Sequence, residues 1–258
     1  MNRLFRASIV ENRQIIPDHF LLTLRPLIKI PTPKPGNFFM LSVDHGMDPL
    51  LKRPFSIHRL FGDDVQILYR LAGKGTHILS GRNKGDILDA VGPLGNKFPP
   101  PGSGDKTILI AGGIGIAPIF ALAEKLKNKE ILLFYGAKTK EELLCTDQIK
   151  SLGIDPVIST DDGSCGQKGT AIDALIKHLI RHPSLVTSHR LYACGPRPMF
   201  KSLSLLAKKH NLKGYIALEQ HMACGIGTCL GCVINTVDGY KRVCREGPVF
   251  PLEKILWE

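Results

Sequence analysis

The chain has 258 residues, 43% of them hydrophobic and 22% charged, a balance that excludes a disordered or fibrous protein and, at about 150 residues per domain, suggests roughly two domains. The formal charge of +11 invites a nucleic-acid reading, but the excess is spread over residues 1–213 with no basic run longer than two, as in Lys208-Lys209 and Lys241-Arg242. Such dispersal suits a solvated surface that attracts anionic ligands and argues against nucleic acid as a partner. No window approaches the ~20 apolar residues of a membrane-spanning helix. Arg3, Arg6, Glu11 and Arg13 break up any signal-peptide apolar stretch, and Glu11 argues against a mitochondrial presequence, so a cytoplasmic protein with no membrane partner is expected.

Up to about residue 100 the pattern is of short strands. Phe20–Leu24, Phe38–Val43, Phe55–Leu60 and Val65–Leu71 carry the alternation, and Gly62-Asp63-Asp64 marks a hairpin between the last two. Prolines 26, 31, 33 and 35 punctuate a loop, and Pro99-Pro100-Pro101-Gly102 ends the region. With one short helical stretch at Thr76–Ser80, this predicts a small antiparallel β-barrel over residues 1–102.

The period then changes. Strands are predicted at Thr107–Ala111, Ile131–Tyr135, Pro156–Ser159 and Leu191–Ala193, and helices at Ala117–Leu126, Glu141–Leu152, Ala171–Ile180 and Met199–Lys209. This alternation predicts a doubly wound parallel α/β domain over residues 103–213. Ile216–Leu218 leads into a Gly- and Cys-rich tail, residues 214–258, too small to hold a core without a staple.

The staple is legible in the thiols. Of seven cysteines, Cys145, Cys165 and Cys194 stand alone, while Cys224, Cys229, Cys232 and Cys244 gather in the tail. Their spacing, C-x4-C-x2-C followed by a distant fourth, is that of a plant-type 2Fe–2S cluster. Gly225, Gly227 and Gly231 let the loop curl around bridging sulfides and bring backbone N–H groups to the sulfurs. A four-cysteine zinc site is the competing reading, but it usually shows paired knuckles rather than three ligands in one loop.

Two further motifs follow parallel strands. Gly113-Ile-Gly115-Ile-Ala-Pro118 opens a helix and would bring N–H groups to a pyrophosphate, although G-x-G-x-x-P alone is a weak fingerprint. Cys194-Gly195-Pro196 closes a later strand, at the carboxyl edge where ligands bind parallel sheets. In the barrel, Arg53-Pro54-Phe55-Ser56, Leu68-Tyr69-Arg70 and Gly75-Thr76 form a third set. Arg53 and Arg70 could pair with a phosphate or a flavin edge, and Gly75-Thr76 begins a helix whose amides could face a phosphate. Gly73-Lys74-Gly75-Thr76 lacks the earlier glycine of a P-loop.

Together these residues resemble the ferredoxin–NADP reductase superfamily, whose R-x-[YF]-[ST], G-x-G-x-x-P and C-G-P-x-x-M signatures match Arg53–Ser56, Gly113–Pro118 and Cys194–Met199, with Met199 one place early. With the loop MACGIGTCLGCV and the later VCREGPVF, the whole chain is similar to the electron-transfer subunits of type-B, NAD-dependent dihydroorotate dehydrogenases. The resemblance implies an FAD, a 2Fe–2S cluster held by Cys224, Cys229, Cys232 and Cys244, and NAD as acceptor. It also implies an FMN-containing catalytic subunit as partner, in a heterotetramer serving pyrimidine biosynthesis. Electrons would pass from FMN through the cluster and FAD to NAD⁺. Arg53, Pro54, Phe55, Ser56, Leu68, Tyr69, Arg70, Gly75 and Thr76 would bind FAD, with Ser56 near its reactive nitrogen. Gly113, Gly115, Pro118, Gly195 and Pro196 would bind the dinucleotide, and Cys194 would face the nicotinamide. The redox chemistry is the cofactors', and no acid–base dyad is expected.

Some alternatives stay open at this stage. Lys138 and Lys140 could read the 2′-phosphate of NADP, whereas Glu141 or Glu142 could read the free 2′-hydroxyl of NAD. The same three-part layout also suits reductase subunits serving a ferredoxin, hydrogenase or sulfide-reductase partner. A zinc-stapled nucleic-acid-binding protein is the reading from a different class.

Overall fold

The computed structural model describes residues 3–44, 46, 48–102, 106–182 and 189–257. The chain forms two compact units, one of Met1–Lys97, Glu219–Ile234 and Lys241–Pro248, the other of Phe98–Leu218, Asn235–Tyr240 and Val249–Glu258.

The first unit contains strands β1 (Arg3–Ile16), β2 (His19–Pro26), β3 (Phe38–Leu41), β4 (Arg53–Ser56), β5 (Arg59–Phe61), β6 (Asp64–Arg70) and β7 (Ile87–Leu94), with helix α1 (Lys74–Ser80) between the last two strands. They form one antiparallel sheet in the order β4-β3-β7-β1-β2-β6-β5. Phe5, Ala7 and Ile9 of β1, Leu22 and Leu24 of β2, and Val65, Ile67 and Tyr69 of β6 project to one side and build the core. Alternation along each strand dictates that side. The sheet curls until β4 meets β6, where the Phe55 and Tyr69 rings stand edge to face with centroids 5.8 Å apart.

Three departures from the sequence pattern have physical causes. The strand expected over Phe55–Leu60 is two strands, because β4 pairs with β3 whereas β5 turns to pair with β6. Neither β1 nor β7 stands out as a run: β1 carries register shifts between Ile9 and Glu11 and between Gln14 and Ile16, and β7 contains Gly92-Pro93.

The second unit is built on β8 (Lys106–Gly112), β9 (Ile131–Ala137), β10 (Val157–Thr160), β11 (Gln167–Lys168), β12 (His189–Cys194), β13 (Gly214–Ala217) and β16 (Val249–Pro251), in the order β11-β10-β9-β8-β12-β13-β16. A short hairpin of β14 (Val233–Thr236) and β15 (Gly239–Arg242) precedes β16. All pairs in the larger sheet are parallel except β13 with β16. Ile108, Leu109 and Ile110 of β8 are fully buried, as expected of a strand covered on both faces. Helix α2 (Ile116–Lys125) packs on β8 and β12, and α4 (Ala171–Arg181) on β9 and β10; α5 (Arg197–His210) follows β12. Strands β8, β9 and β10 proceed one way across the sheet, while β12 and β13 lie on the other side of β8. The order therefore reverses between β8 and β12.

The helix expected over Glu141–Leu152 is broken. Lys140–Glu142 is a 3-10 turn, Cys145 adopts a left-handed φ of 58°, and only Thr146–Ser151 forms a helix, α3. The Tyr135 hydroxyl accepts from the Leu144 amide at 2.9 Å, drawing Leu144 into the core in place of a helical turn.

The divisions also fall differently from those read in the sequence. Residue 103, the expected start of the second domain, lies outside the described residues; the second unit begins at Phe98, whose ring meets Tyr192 edge-on at 5.8 Å. The Tyr192 hydroxyl donates to the Pro99 carbonyl at 2.9 Å. Residues 214–258, expected as a third domain, are shared: the cysteine-bearing stretches belong to the first unit, and the strands that flank them complete the second unit's sheet.

Candidate functional site

In the first unit, the Phe55–Tyr69 contact joins the Arg53–Ser56 strand to the Leu68–Arg70 strand. Tyr69 also stacks on Phe20 at 5.3 Å and donates its hydroxyl to Asn12 at 3.0 Å, and burial raises its pKa. Asn12 in turn donates to the carbonyls of Leu79 and Arg82 at the end of α1. The Arg53 side chain donates to the Leu51 carbonyl and lies against Gly75, where a Cβ would stand 2.8 Å from its Nε. Thr76 closes the turn before it: its Oγ1 accepts from the amides of Ala72 and Gly73. Thus all three barrel segments singled out in the sequence converge. Phe55 and Tyr69 face the core, Leu68 is buried outside it, Arg70 is exposed, and Pro54 and Ser56 are half-buried.

In the second unit, the two glycine turns meet at the carboxyl ends of β8 and β12, where Ala111 pairs with Cys194. A Cβ on Gly115 would stand 2.3 Å from the Cys194 carbonyl oxygen, so only glycine lets the turns close. Met199, a residue whose role the motif reading left open, packs its sulfur against both Gly112 and Gly195 and sets their separation. Gly113 has φ of 52°, and the 3-10 turn Gly113–Gly115 runs straight into α2, with Pro118 buried in its first turn. This crevice lies where the strand order reverses, the ligand position of open α/β sheets. Cys194 is 1% exposed, and Pro196 is at the surface.

The loops after β9 and β10 are zipped together beside it. The amides of Asp161 and Asp162 donate to the carbonyls of Ala137 and Lys138 at 3.1 and 3.3 Å, and the Lys140 amide donates to Ser164 Oγ at 2.8 Å. Hydrogen bonds from the Ser164 hydroxyl and amide hold the Asp162 carboxyl below its ordinary pKa. Asp161 and Asp162 therefore share an edge with Lys138, Lys140 and Glu141. Sequence distance hides this juxtaposition, which depends on β9 and β10 being parallel neighbours.

The four tail cysteines form two pairs. Burial opposes ionisation of Cys224, but the amides of Cys229, Ile226 and Thr228 and the Cys229 thiol pull its pKa down to about 6. Burial, a hydrogen bond with Cys232, and the charges of Cys232 and Cys224 push Cys244 up to about 12. The Gly231 amide points at Cys229 Sγ (3.5 Å) and the Cys244 amide at Cys232 Sγ (3.4 Å). Gly225, with φ of 70°, fits under Met40, whose Cγ would be 2.4 Å from a Cβ there. Leu230 holds a left-handed φ of 58° between Cys229 and Cys232, a conformation of about 1–3 kcal/mol that a ligand loop can exploit. Among the described residues no three His, Cys, Asp or Glu side chains make a single-ion site. Two thiol pairs with amides aimed at sulfur fit a 2Fe–2S cluster, which takes four cysteines across two irons. Cys229 is exposed, while Cys232 and Cys244 are buried.

Residues 219–256 match the family described as "Iron-sulfur cluster binding domain of dihydroorotate dehydrogenase B", and residues 109–204 match "Oxidoreductase NAD-binding domain". The chain is 35% identical over its full length, and that of the relative, to the dihydroorotate dehydrogenase B (NAD(+)) electron transfer subunit of Desulforamulus reducens. It is 37% identical to that of Caldanaerobacter subterraneus subsp. tengcongensis, with 98% of each chain covered. A solved structure from a study of electron bifurcation by NADH-dependent reduced ferredoxin-NADP oxidoreductase superposes with a TM-score of 0.84 at 28% identity, covering 97% of this chain and 90% of that one. The ferredoxin reductase of carbazole 1,9a-dioxygenase shares the fold, with a TM-score of 0.71 at 21% identity over 82% of this chain and 67% of its own. The chain belongs to the family of dihydroorotate dehydrogenase B (NAD(+)) electron transfer subunits.

Proposed function

We propose that this chain carries electrons from an FMN-bearing, dihydroorotate-oxidising catalytic subunit to NAD⁺, as half of a cytoplasmic heterotetramer with two copies of each subunit. The observation that carries this reading is the pairing of the four tail thiols within a chain that matches such subunits from end to end. FAD and a 2Fe–2S cluster supply the redox chemistry when bound, converting single electrons to hydride and back.

The chain's own residues bind, orient and tune. Cys224, Cys229, Cys232 and Cys244 would hold the cluster, with the amides of Gly231 and Cys244 directed at its sulfur ligands. Arg53 offers its charge to the flavin's phosphates; Phe55 and Tyr69 wall the site, with Pro54, Leu68, Arg70, Gly75 and Thr76 around it and Ser56 at the flavin's reactive edge. Gly113, Gly115 and Pro118 cradle the pyrophosphate, and Gly195 and Pro196 with Cys194 border the nicotinamide. Asp161 and Asp162 favour NAD over NADP by opposing a 2′-phosphate, like charges being costly at close range. The domain division proposed for function is a flavin domain, residues 1–102, a nucleotide domain, 103–213, and a cluster segment, 214–258. No helix among the described residues is long and apolar enough to cross a membrane.

The test is the visible spectrum of the anaerobically purified protein, co-expressed with a dihydroorotate-oxidising subunit. Flavin and iron–sulfur bands that bleach on dihydroorotate and return with NAD⁺ are expected. The likeness to the ferredoxin-NADP oxidoreductase structure favours a second reading, a reductase subunit serving a ferredoxin partner. Bands that bleach with NADH but never with dihydroorotate in an assembled complex would establish that reading instead.

A further inference from the structure

The turn carrying Cys244 is closed by Arg242. Its carbonyl accepts from the amides of Arg245, Glu246 and Gly247 at 3.2, 2.9 and 3.4 Å, and its own amide donates to Glu246 Oε2 at 2.8 Å. The guanidinium grips the same carboxylate through Nε, at 3.0 Å, and through Nη2. Its remaining arm, Nη1, reaches out of the turn and donates to the Gly227 carbonyl at 2.7 Å, midway along the loop between Cys224 and Cys229. Gly227 has φ of 87° and leaves room for nothing larger, since a Cβ there would stand 2.6 Å from Arg245 Cδ. Arg242 and Glu246 are both about three-quarters covered, at 27% and 30% side-chain exposure. One side chain thereby ties the segment supplying the fourth thiol to the loop supplying the first two, and it brings a permanent positive charge into their shared surroundings.

We propose that Arg242 is a positioning residue for the cluster whose charge, partly offset by Glu246, sets the cluster's reduction potential. The inference rests on the four cysteines holding a 2Fe–2S cluster. Reduction adds negative charge to such a cluster, so a nearby cation favours the reduced form and raises the potential, while a nearby carboxylate lowers it. The planar fork explains why arginine stands here: two arms engage one carboxylate while another reaches a carbonyl, which the single ammonium of lysine cannot reproduce.

The experiment is a redox titration of the co-expressed complex, following the cluster by electron paramagnetic resonance, with iron content measured in parallel. Arg242→Gln is expected to move the midpoint to lower potential and Glu246→Gln to higher potential. Arg242→Lys, which keeps the charge, should hold the midpoint near wild type while making the cluster more labile to chelator. Should Arg242→Gln lose its iron, the signs are read from the other two variants. Midpoints that stay put or move together overturn the charge role, as does loss of the cluster from all three variants. A wild-type complex with no iron signal would instead defeat the cluster reading itself, a separate failure.

Discussion

The carbonyl of Cys194 closes against Gly115 so tightly that a single methyl group at the glycine would lie 2.3 Å from the oxygen. Two turns 79 positions apart in the chain thus form one surface at the reversal point of the sheet, and their mutual fit shapes the nucleotide crevice. Gly115→Ala should therefore raise the KM for NAD⁺ at least tenfold and, by overpacking, lower stability by about 1–3 kcal/mol. Gly113→Ala, whose Cβ would meet nothing within 4 Å but whose φ is 52°, serves as the comparison. Equal effects from both would mean that backbone conformation, and not the contact with Cys194, governs the site.

The coenzyme preference proposed for the acidic edge predicts a response to substitution there. Asp161→Ser should increase kcat/KM for NADPH about tenfold, corresponding to ~1.4 kcal/mol, with little change for NADH. Asp162 is a poorer target because its carboxylate also organises the loop through Ser164. A ratio of the two rates left unmoved by Asp161→Ser would reject this role.

Cys229 is exposed, so its replacement should not disturb packing. Cys229→Ser is expected to strip iron from the protein while the flavin and far-ultraviolet spectra persist. Wild-type iron content in that variant would remove Cys229 from the ligand set.

Arg53→Ala should weaken FAD binding about tenfold, and Arg53→Lys should recover part of the loss by restoring charge without the fork. Flavin stoichiometry after gel filtration is the measurement. A full complement in Arg53→Ala would mean that the side chain only covers Gly75.

Away from the sites, Thr170 caps α4 by accepting from the Asp173 amide at 3.2 Å while Asp173 accepts from the Thr170 amide at 2.8 Å. Thr170→Ala should cost about 0.5–2 kcal/mol, seen as a lower Tm. Hydrogen bonds from the Thr170 amide and hydroxyl hold Asp173 below its ordinary value of 3.8. Its contribution is thus present above that value and is lost as pH falls through the depressed one. Thr170→Ala should shrink this acid-side loss.

The segments that converge in the candidate site were legible in the sequence because each pattern is local. The thiol spacing, the glycine turns after β8 and β12, and the Arg53–Ser56 strand each sit within a few residues. What could not be read depends on neighbours made by the fold. Asp161 and Asp162 join Lys138 only through the parallel pairing of β10 with β9, and Arg242 finds Gly227 across 15 positions that include the β14–β15 hairpin. The broken helix after β9 escaped for a similar reason. The buried Tyr135 hydroxyl takes the Leu144 amide that a helix would have used. In β7, Gly92 and Pro93 mask a strand whose alternate residues are nonetheless buried.

The route of the last 45 residues has a bearing on modularity. After β13 the chain leaves the second unit at Leu218 and returns to it for Asn235–Tyr240; it leaves again and comes back at Val249 to lay β16 antiparallel against β13. The stretch matched as an iron–sulfur module therefore includes the outermost strand of the nucleotide-binding sheet. Cutting the chain at Leu218 would delete β16 and bare the β13 backbone, an unpaired edge open to strand addition from other molecules. Grafting the cluster segment onto another reductase would likewise require the recipient sheet to accept a new border. Such a segment can be inherited or exchanged only as stitching, together with the hem of the sheet it is sewn to.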